Sequence, residues 1–239
     1  MVREYREKEG RAHYFTDFDA SKYSVNEDFQ KHKELLQNWL IDLNPSFMLS
    51  IYNPSERQMN TENRVMMIVH LILEMSVIQA NIFQGKTTYK IIDQYPLLVK
   101  GQKVDYAIVI TGLLGLPIKV VIETKRAGFF RKQTQLLNTL GQGYEYAKRA
   151  VFLNQKASLL EIMMYKGVIL IVTDLESWHF FAISPFGHDK YYSKSEFALI
   201  HYEEVSYLRI EKSFEKAFKF FNNTIPYVVA NALCTEHSI

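Results

Sequence analysis

Two hydrophobic rhythms alternate along the chain. Phe29, Leu35, Leu36, Trp39, Leu40 and Leu43 recur near helical spacing between Asn26 and Leu43, which predicts an amphipathic helix ended by Asn44-Pro45. Val65, Ile68, Val69, Ile72 and Leu73 repeat that rhythm in a second predicted helix running to about Ala80, with Asn60 or Thr61 as its N-cap. The period then changes. Val104 to Ile110 and Ile118 to Thr124 are short runs rich in Val and Ile, separated by the Gly- and Pro-bearing stretch Thr111 to Pro117. This is a hairpin pattern, and the second run is nearly continuous apolar, as a strand buried on both faces would be. Gln133 to Phe152 predicts a long helix, and Gly167 to Thr173 with Trp178 to Ile183 predicts a second strand pair around Asp174-Leu175-Glu176-Ser177. Glu211 to Leu233 reads as helical, with Pro226 kinking or ending it. The first 25 or so residues are polar and aromatic without a period.

Helix, strands, helix, strands is the order of a mixed sheet with helices against it, a three-layer α/β/α arrangement. With 239 residues, 48% of them hydrophobic, and no Gly/Ser- or Pro-rich linker, one domain is expected. Its core spans about 61–183, flanked by helical regions 1–60 and 184–239. The single Cys234 excludes a disulfide framework and a zinc site built on paired cysteines. It points to a reducing, intracellular setting, cytoplasm or nucleus. No window approaches 18 uninterrupted apolar residues, so no membrane span is expected. Met1 to Gly10 has no apolar stretch of the kind a secretory signal carries.

The net charge of +2 conceals a local bias. Between Pro117 and Ala150, Lys119, Lys125, Arg126, Arg131, Lys132, Lys148 and Arg149 face only Glu123 and Glu145, a local charge of +5 that leaves −3 for the remainder. Such a segment points to a polyanionic partner, although mixed charged helix faces are ordinary.

Val104-Asp105 lies on one predicted strand, and Glu123-Thr124-Lys125 ends the next. Side chains i and i+2 share a face of a strand, so Glu123 and Lys125 project together, and hairpin pairing sets Asp105 beside Glu123. Adjacent carboxylates repel and raise one another's pKa. A divalent cation resolves the conflict, and hard oxygen ligands suit Mg²⁺ or Mn²⁺. Each charge alone would be an ordinary surface feature; their position at the end of a run suited to a sheet interior sets them apart. The seven histidines show no zinc-hydrolase spacing, Gly141-Gln142-Gly143 lacks the rest of a phosphate-binding motif, and no Gly-X-Ser-X-Gly occurs. Tyr191, Tyr192, Phe197 and Tyr202 read as packing aromatics rather than base-stacking platforms.

Asp105 followed by Glu123-X-Lys125 after a hydrophobic strand resembles the signature of the PD-(D/E)XK, or restriction-endonuclease-like, nuclease superfamily. The helix beginning Thr61-Glu62-Asn63-Arg64-Val65 is similar to that family's first helix, with a glutamate near its start. Gln142-Gly143-Tyr144-Glu145-Tyr146 resembles the Gln-X-X-X-Tyr element of the type I restriction and recombination-nuclease branches. Val172 to Phe181 resembles the strand-turn-strand that follows. Val104 stands where the family often has proline. The resemblance covers about residues 61–183 and implies a metal-dependent nuclease, more readily of DNA than of RNA. Asp105 and Glu123 would ligate Mg²⁺ or Mn²⁺, with the Thr124 carbonyl a further ligand and Glu62 assisting directly or through water. Lys125 would orient the attacking water. Gln142 and Tyr146 would contact substrate or the metal shell, and Lys119, Arg126, Arg131, Lys132, Lys148 and Arg149 would attract the nucleic-acid backbone. Glu74 competes with Glu62 for the first-helix acid, and Gln135 competes with Gln142. Many members of the superfamily cut as homodimers, and nothing in this chain locates a dimer surface. The alternative is a nuclease-fold module that binds nucleic acid or protein without catalysis.

Overall fold

The computed structural model describes residues 27–42, 62–84, 88–96, 101, 103–111, 116–157, 167–185, 197–206, 221 and 225–234. The elements are α1 (Glu27–Asp42), α2 (Glu62–Gln84), β1 (Thr88–Pro96), β2 (Lys103–Thr111), β3 (Ile118–Thr124), a 3₁₀ turn (Phe129–Arg131), α3 (Gln133–Ala157), β4 (Val168–Thr173), β5 (Ser177–Pro185), β6 (Phe197–Ser206) and α4 (Ile225–Cys234). The protein is a mixed α/β structure: the strands form one sheet in the order β1-β2-β3-β4-β5-β6, flanked by helices. β3 and β4 run parallel, and every other neighbouring pair runs antiparallel. The parallel pair needs a crossover, and α3 supplies it, as the rule for parallel neighbours requires.

Successive side chains of β3 enter cores on opposite faces of the sheet, as the pleat demands. Val120 and Ile122 join Tyr106, Ile108, Ile169, Ile171, Trp178 and Phe180 in a core that includes α2 and α4. Val121 joins Ala107, Val109, Leu170, Val172 and Phe181 in a second core that includes α3. A register shift between Ile108 and Val109 breaks the β2–β3 ladder near its far end. There the Asn154 side chain stands in for a strand neighbour, accepting from Ile118 N at 2.8 Å and donating to Ile118 O at 2.7 Å. Helix α3 lies close on β4 because Gly143 has no side chain: a Cβ there would stand 2.8 Å from Leu170 Cδ1. No glycine or proline interrupts the 23 residues of α2. Its segment Val65–Ile82 is apolar and long enough by composition to cross a membrane, yet 56% of it is buried inside the protein, as in a core helix.

The first three predicted helices and the four central strands fall within a few residues of these limits, and of the helix expected over Glu211 to Leu233 the part from Ile225 onward is α4. Four features differ or lie out of reach. β1 was not anticipated, and the region 184–239, expected to be helical, contributes β6, on which Phe197 and Tyr202 lie. Pro226 occupies the first turn of α4, where a missing N–H costs nothing, and the stretch over which the expected helix would precede it, 211–220 and 222–224, lies outside the described residues. Asn44-Pro45, the Asn60 and Thr61 cap, Tyr191 and Tyr192 lie outside the described residues.

Candidate active site

The hairpin register sets the site. Tyr106 pairs with Ile122, so the next step along both strands brings Asp105 abreast of Glu123. The β3–β4 ladder, which pairs Thr124 with Thr173, runs one residue further through the bond from Lys125 N to Thr173 O at 2.8 Å. This extension holds Lys125 in strand-like continuation, and its ammonium lies 2.6 Å from Glu123 Oε1 and 3.7 Å from Glu62 Oε1. Asp105 Oδ2 accepts from both the backbone N–H and the hydroxyl of Thr124, each at 2.7 Å. Two donors on one oxygen fix the carboxylate on its strand.

The electrostatics follow from burial. Glu123 is 3% exposed. Burial, and next the charge of Asp105, push its carboxyl up to about 7, against the partial relief that Lys125 gives. Burial alone would lower the Lys125 ammonium, but Glu123, then Glu62 and Asp105, outweigh it and hold the group above its ordinary value. Lys125 is therefore a permanent cation at neutral pH, suited to stabilising charge rather than to taking a proton. Tyr106, beside Asp105, donates its hydroxyl to Met66 O at 2.7 Å. That bond ties β2 to the second turn of α2, the helix that carries Glu62. Burial and the charges of Asp105 and Asp93 raise the phenol well above its usual range, so it remains a donor.

The structure brings Glu62, Asp105, Glu123, Thr124 and Lys125 together. Glu74 sits three turns along α2 from Glu62 and faces His70 Nε2 at 3.6 Å. Gln142 Nε2 donates to the Tyr146 hydroxyl at 2.8 Å across one turn of α3. Tyr146 is buried in the core that also contains Val121, two residues before Glu123 on its strand. Gln135 offers its carbonyl to the Thr139 hydroxyl within the same helix. The basic residues divide. Arg126 is exposed and lies over the Phe129 ring at 5.8 Å, and Lys132 is exposed. Lys119 is half-buried on β3, and Lys148 pairs with Glu145 at 2.6 Å. Arg149 lies over Phe152, its buried Nε without a hydrogen-bond partner among the described residues. Arg131 is not simply a solvent-facing cation: its guanidinium is held by the buried Glu176 at 2.7 Å.

Two residues escaped the sequence reading. Asp174 and Glu176, 1% and 2% exposed, lie in the turn between β4 and β5 and face the segment that follows Lys125. Two carboxylates in a short turn after a strand apolar up to its last residue were the available signal; their partners, 44 and 45 residues earlier in the chain, were not visible.

No protein-family model, curated protein or solved structure matches the chain. Among the described residues, no group of three or more His, Cys, Asp or Glu side chains is arranged to hold a metal ion.

Proposed function

We propose that the protein is a Mg²⁺- or Mn²⁺-dependent nuclease of the PD-(D/E)XK type that hydrolyses phosphodiester bonds of nucleic acid, with DNA preferred to RNA. In this reading the sheet and its helices are the three-layer restriction-endonuclease-like core. The observation that carries it is the convergence of Asp105, Glu123, Lys125 and Glu62 at one end of the β2–β3 hairpin. The donor set fits a hard divalent ion. Asp105 and Glu123 are two carboxylates abreast, one of them buried at an energetic cost that a cation would relieve. Mg²⁺ is held by one or two carboxylates with retained waters, so a third protein acid is not required. Asp105 and Glu123 would be the ligands, with the Thr124 carbonyl and Glu62 as further oxygen donors.

When bound, the ion supplies positive charge to the phosphodiester oxygens and acidifies water. The chain's own residues do the remaining work. Lys125 keeps its proton and donates hydrogen bonds to the attacking water, while its charge offsets the negative charge that develops on the phosphoryl group. Thr124 locks Asp105 through two hydrogen bonds, so the carboxylate does not reorganise during the reaction. Gln142 and Tyr146, already hydrogen-bonded to each other, present an amide and a phenol to the substrate. The exposed Arg126 and Lys132 draw the nucleic-acid backbone, an attraction that weakens steeply with salt.

The test is oligonucleotide and plasmid cleavage with Mg²⁺, with Mn²⁺ and with neither. Asp105→Ala and Lys125→Ala should each lower the rate at least about 100-fold, the scale of losing a charge that stabilises a transition state. Calorimetry should show Mn²⁺ binding that Glu123→Ala abolishes. Absence of both cleavage and millimolar metal binding would instead favour the non-catalytic module.

A further inference from the structure

The turn between β4 and β5 grips the segment after Lys125 at three successive points. Thr173 O takes Lys125 N at 2.8 Å. Asp174 Oδ2 takes Phe130 N at 2.7 Å. Glu176 takes Arg131 in a two-pronged pair, Nη2 to Oε1 at 2.7 Å and Nε to Oε2 at 3.2 Å. The turn is itself closely braced. Asp174 Oδ1 accepts from Ser177 N at 2.9 Å and from the Ser177 hydroxyl at 3.0 Å, and Thr173 Oγ1 accepts from Leu175 N at 3.0 Å. Between the two acids, Leu175 is fully buried in the left-handed region with φ 71°, a conformation that a branched side chain rarely adopts. Such a conformation persists only where its surroundings over-determine it. On the gripped segment Gly128 also has φ 71°, and a Cβ there would stand 3.0 Å from Arg131 Nε and 3.3 Å from Glu176 Oε1.

These features have a common effect. The ammonium of Lys125 meets Glu123 and Glu62 where the chain leaves β3, and from Lys125 to Arg131 the departing chain is held by the end of β4 and the turn that follows it. We propose that Asp174 and Glu176 are positioning residues for Lys125: they clamp residues 126–131 against the β4–β5 turn and so fix the direction in which the lysine enters the candidate active site. The catalytic consequence rests on the nuclease reading above; the positioning itself does not. Neither acid reaches the candidate metal ligands in this scheme. Asp174 acts through the backbone N–H of Phe130 and Glu176 through the Arg131 side chain.

The experiment uses the full chain with Asp174→Asn and Glu176→Gln, and with Arg131→Lys as a milder variant should either acid replacement fail to fold. Amide hydrogen exchange by NMR is followed at Lys125 and Phe130, with Tyr106 and Ile122 as internal references, alongside Mn²⁺-dependent cleavage. Local release should speed exchange at Lys125 and Phe130 about tenfold or more while Tyr106 and Ile122 keep their protection. It should also lower kcat about tenfold or more at an unchanged half-saturating Mn²⁺ concentration, as misplacement of a reacting group does. Exchange that rises equally at all four amides, or stays unchanged at Lys125, would overturn the positioning role, and so would a kcat equal to the parent's. If the parent does not cleave, the nuclease reading falls on that result alone, and the exchange pattern still decides whether the clamp positions Lys125.

Discussion

Replacing Glu123 by Gln keeps the shape of the side chain and removes its titration. In the folded protein that carboxyl is raised from 4.5 to about 7, chiefly by burial and then by Asp105, with Lys125 offsetting part of the effect. Between those two values the folded chain holds a proton that the unfolded chain has released, so stability falls as pH rises through the window. At about 1.4 kcal/mol for each tenfold change in proton affinity, the gap is worth about 3 kcal/mol. The penalty is absent below pH 4.5 and fully expressed above about 7. Lys125 adds no slope in this range: its pKa is raised from 10.5, so its contribution is complete below that value and is lost only at higher pH. Urea unfolding of parent and Glu123→Gln at half-unit steps from pH 5 to pH 8 measures the difference directly. The parent should lose up to about 3 kcal/mol relative to the variant across that interval. At pH 8, millimolar Mn²⁺ should restore stability to the parent by binding its folded state and leave the variant unchanged. Parallel pH curves for the two proteins would mean that Glu123 bears no penalty beside Asp105, and the electrostatic reason for a cation there would go with it.

Two neighbouring glycines of α3 should respond in opposite ways to the same change. Gly141→Ala enters open space and should stabilise by about 0.5–1 kcal/mol through the loss of glycine's excess freedom. Gly143→Ala drives a methyl group into the buried Leu170, and overpacking of about 1–3 kcal/mol should cancel or exceed that gain. Thermal unfolding of the two variants side by side distinguishes them, and equal shifts would contradict the close approach of α3 to β4. Tyr106→Phe removes the donor to Met66 O and should cost about 1–2 kcal/mol in urea unfolding, because a half-buried carbonyl loses its side-chain partner. An unchanged midpoint would show that the bond contributes nothing to seating α2.

The parts of the fold that the sequence made legible are those whose burial leaves a strong imprint. β3 and β4 are apolar almost throughout because both faces are covered, and α2 carries apolar residues at helical spacing over most of its length. β1 and β6 left no such imprint. They are the outer strands of the sheet, and β1, with Tyr89 its one buried residue, otherwise mixes exposed and half-buried positions without clean alternation and ends at Pro96. Within the candidate site, the adjacency of Asp105 and Glu123 followed from hairpin register, a local property. The choice between Glu62 and Glu74 depended on where α2 lies relative to β3, which no local pattern encodes. The structure places Glu62 near Lys125 and gives Glu74 to His70. Arg131 illustrates the same limit from the other side: as a charge in a basic segment it resembled its neighbours, and only the fold shows it committed to Glu176.

The single parallel pairing of the sheet bears on how the chain reaches this state. Asp105 and Glu123 are joined by a short hairpin, whereas the seat of Lys125 on Thr173 lies across the whole of α3, at a much larger sequence separation. Loop closure favours near neighbours. Any assembly route that respects this preference gathers the two carboxylates, with the neighbouring lysine, first and seats the backbone of Lys125 on Thr173 afterwards. The charged cluster would then form ahead of the crossover that buries it, which makes the β2–β3 hairpin the early unit of the fold and α3 with β4 its cover.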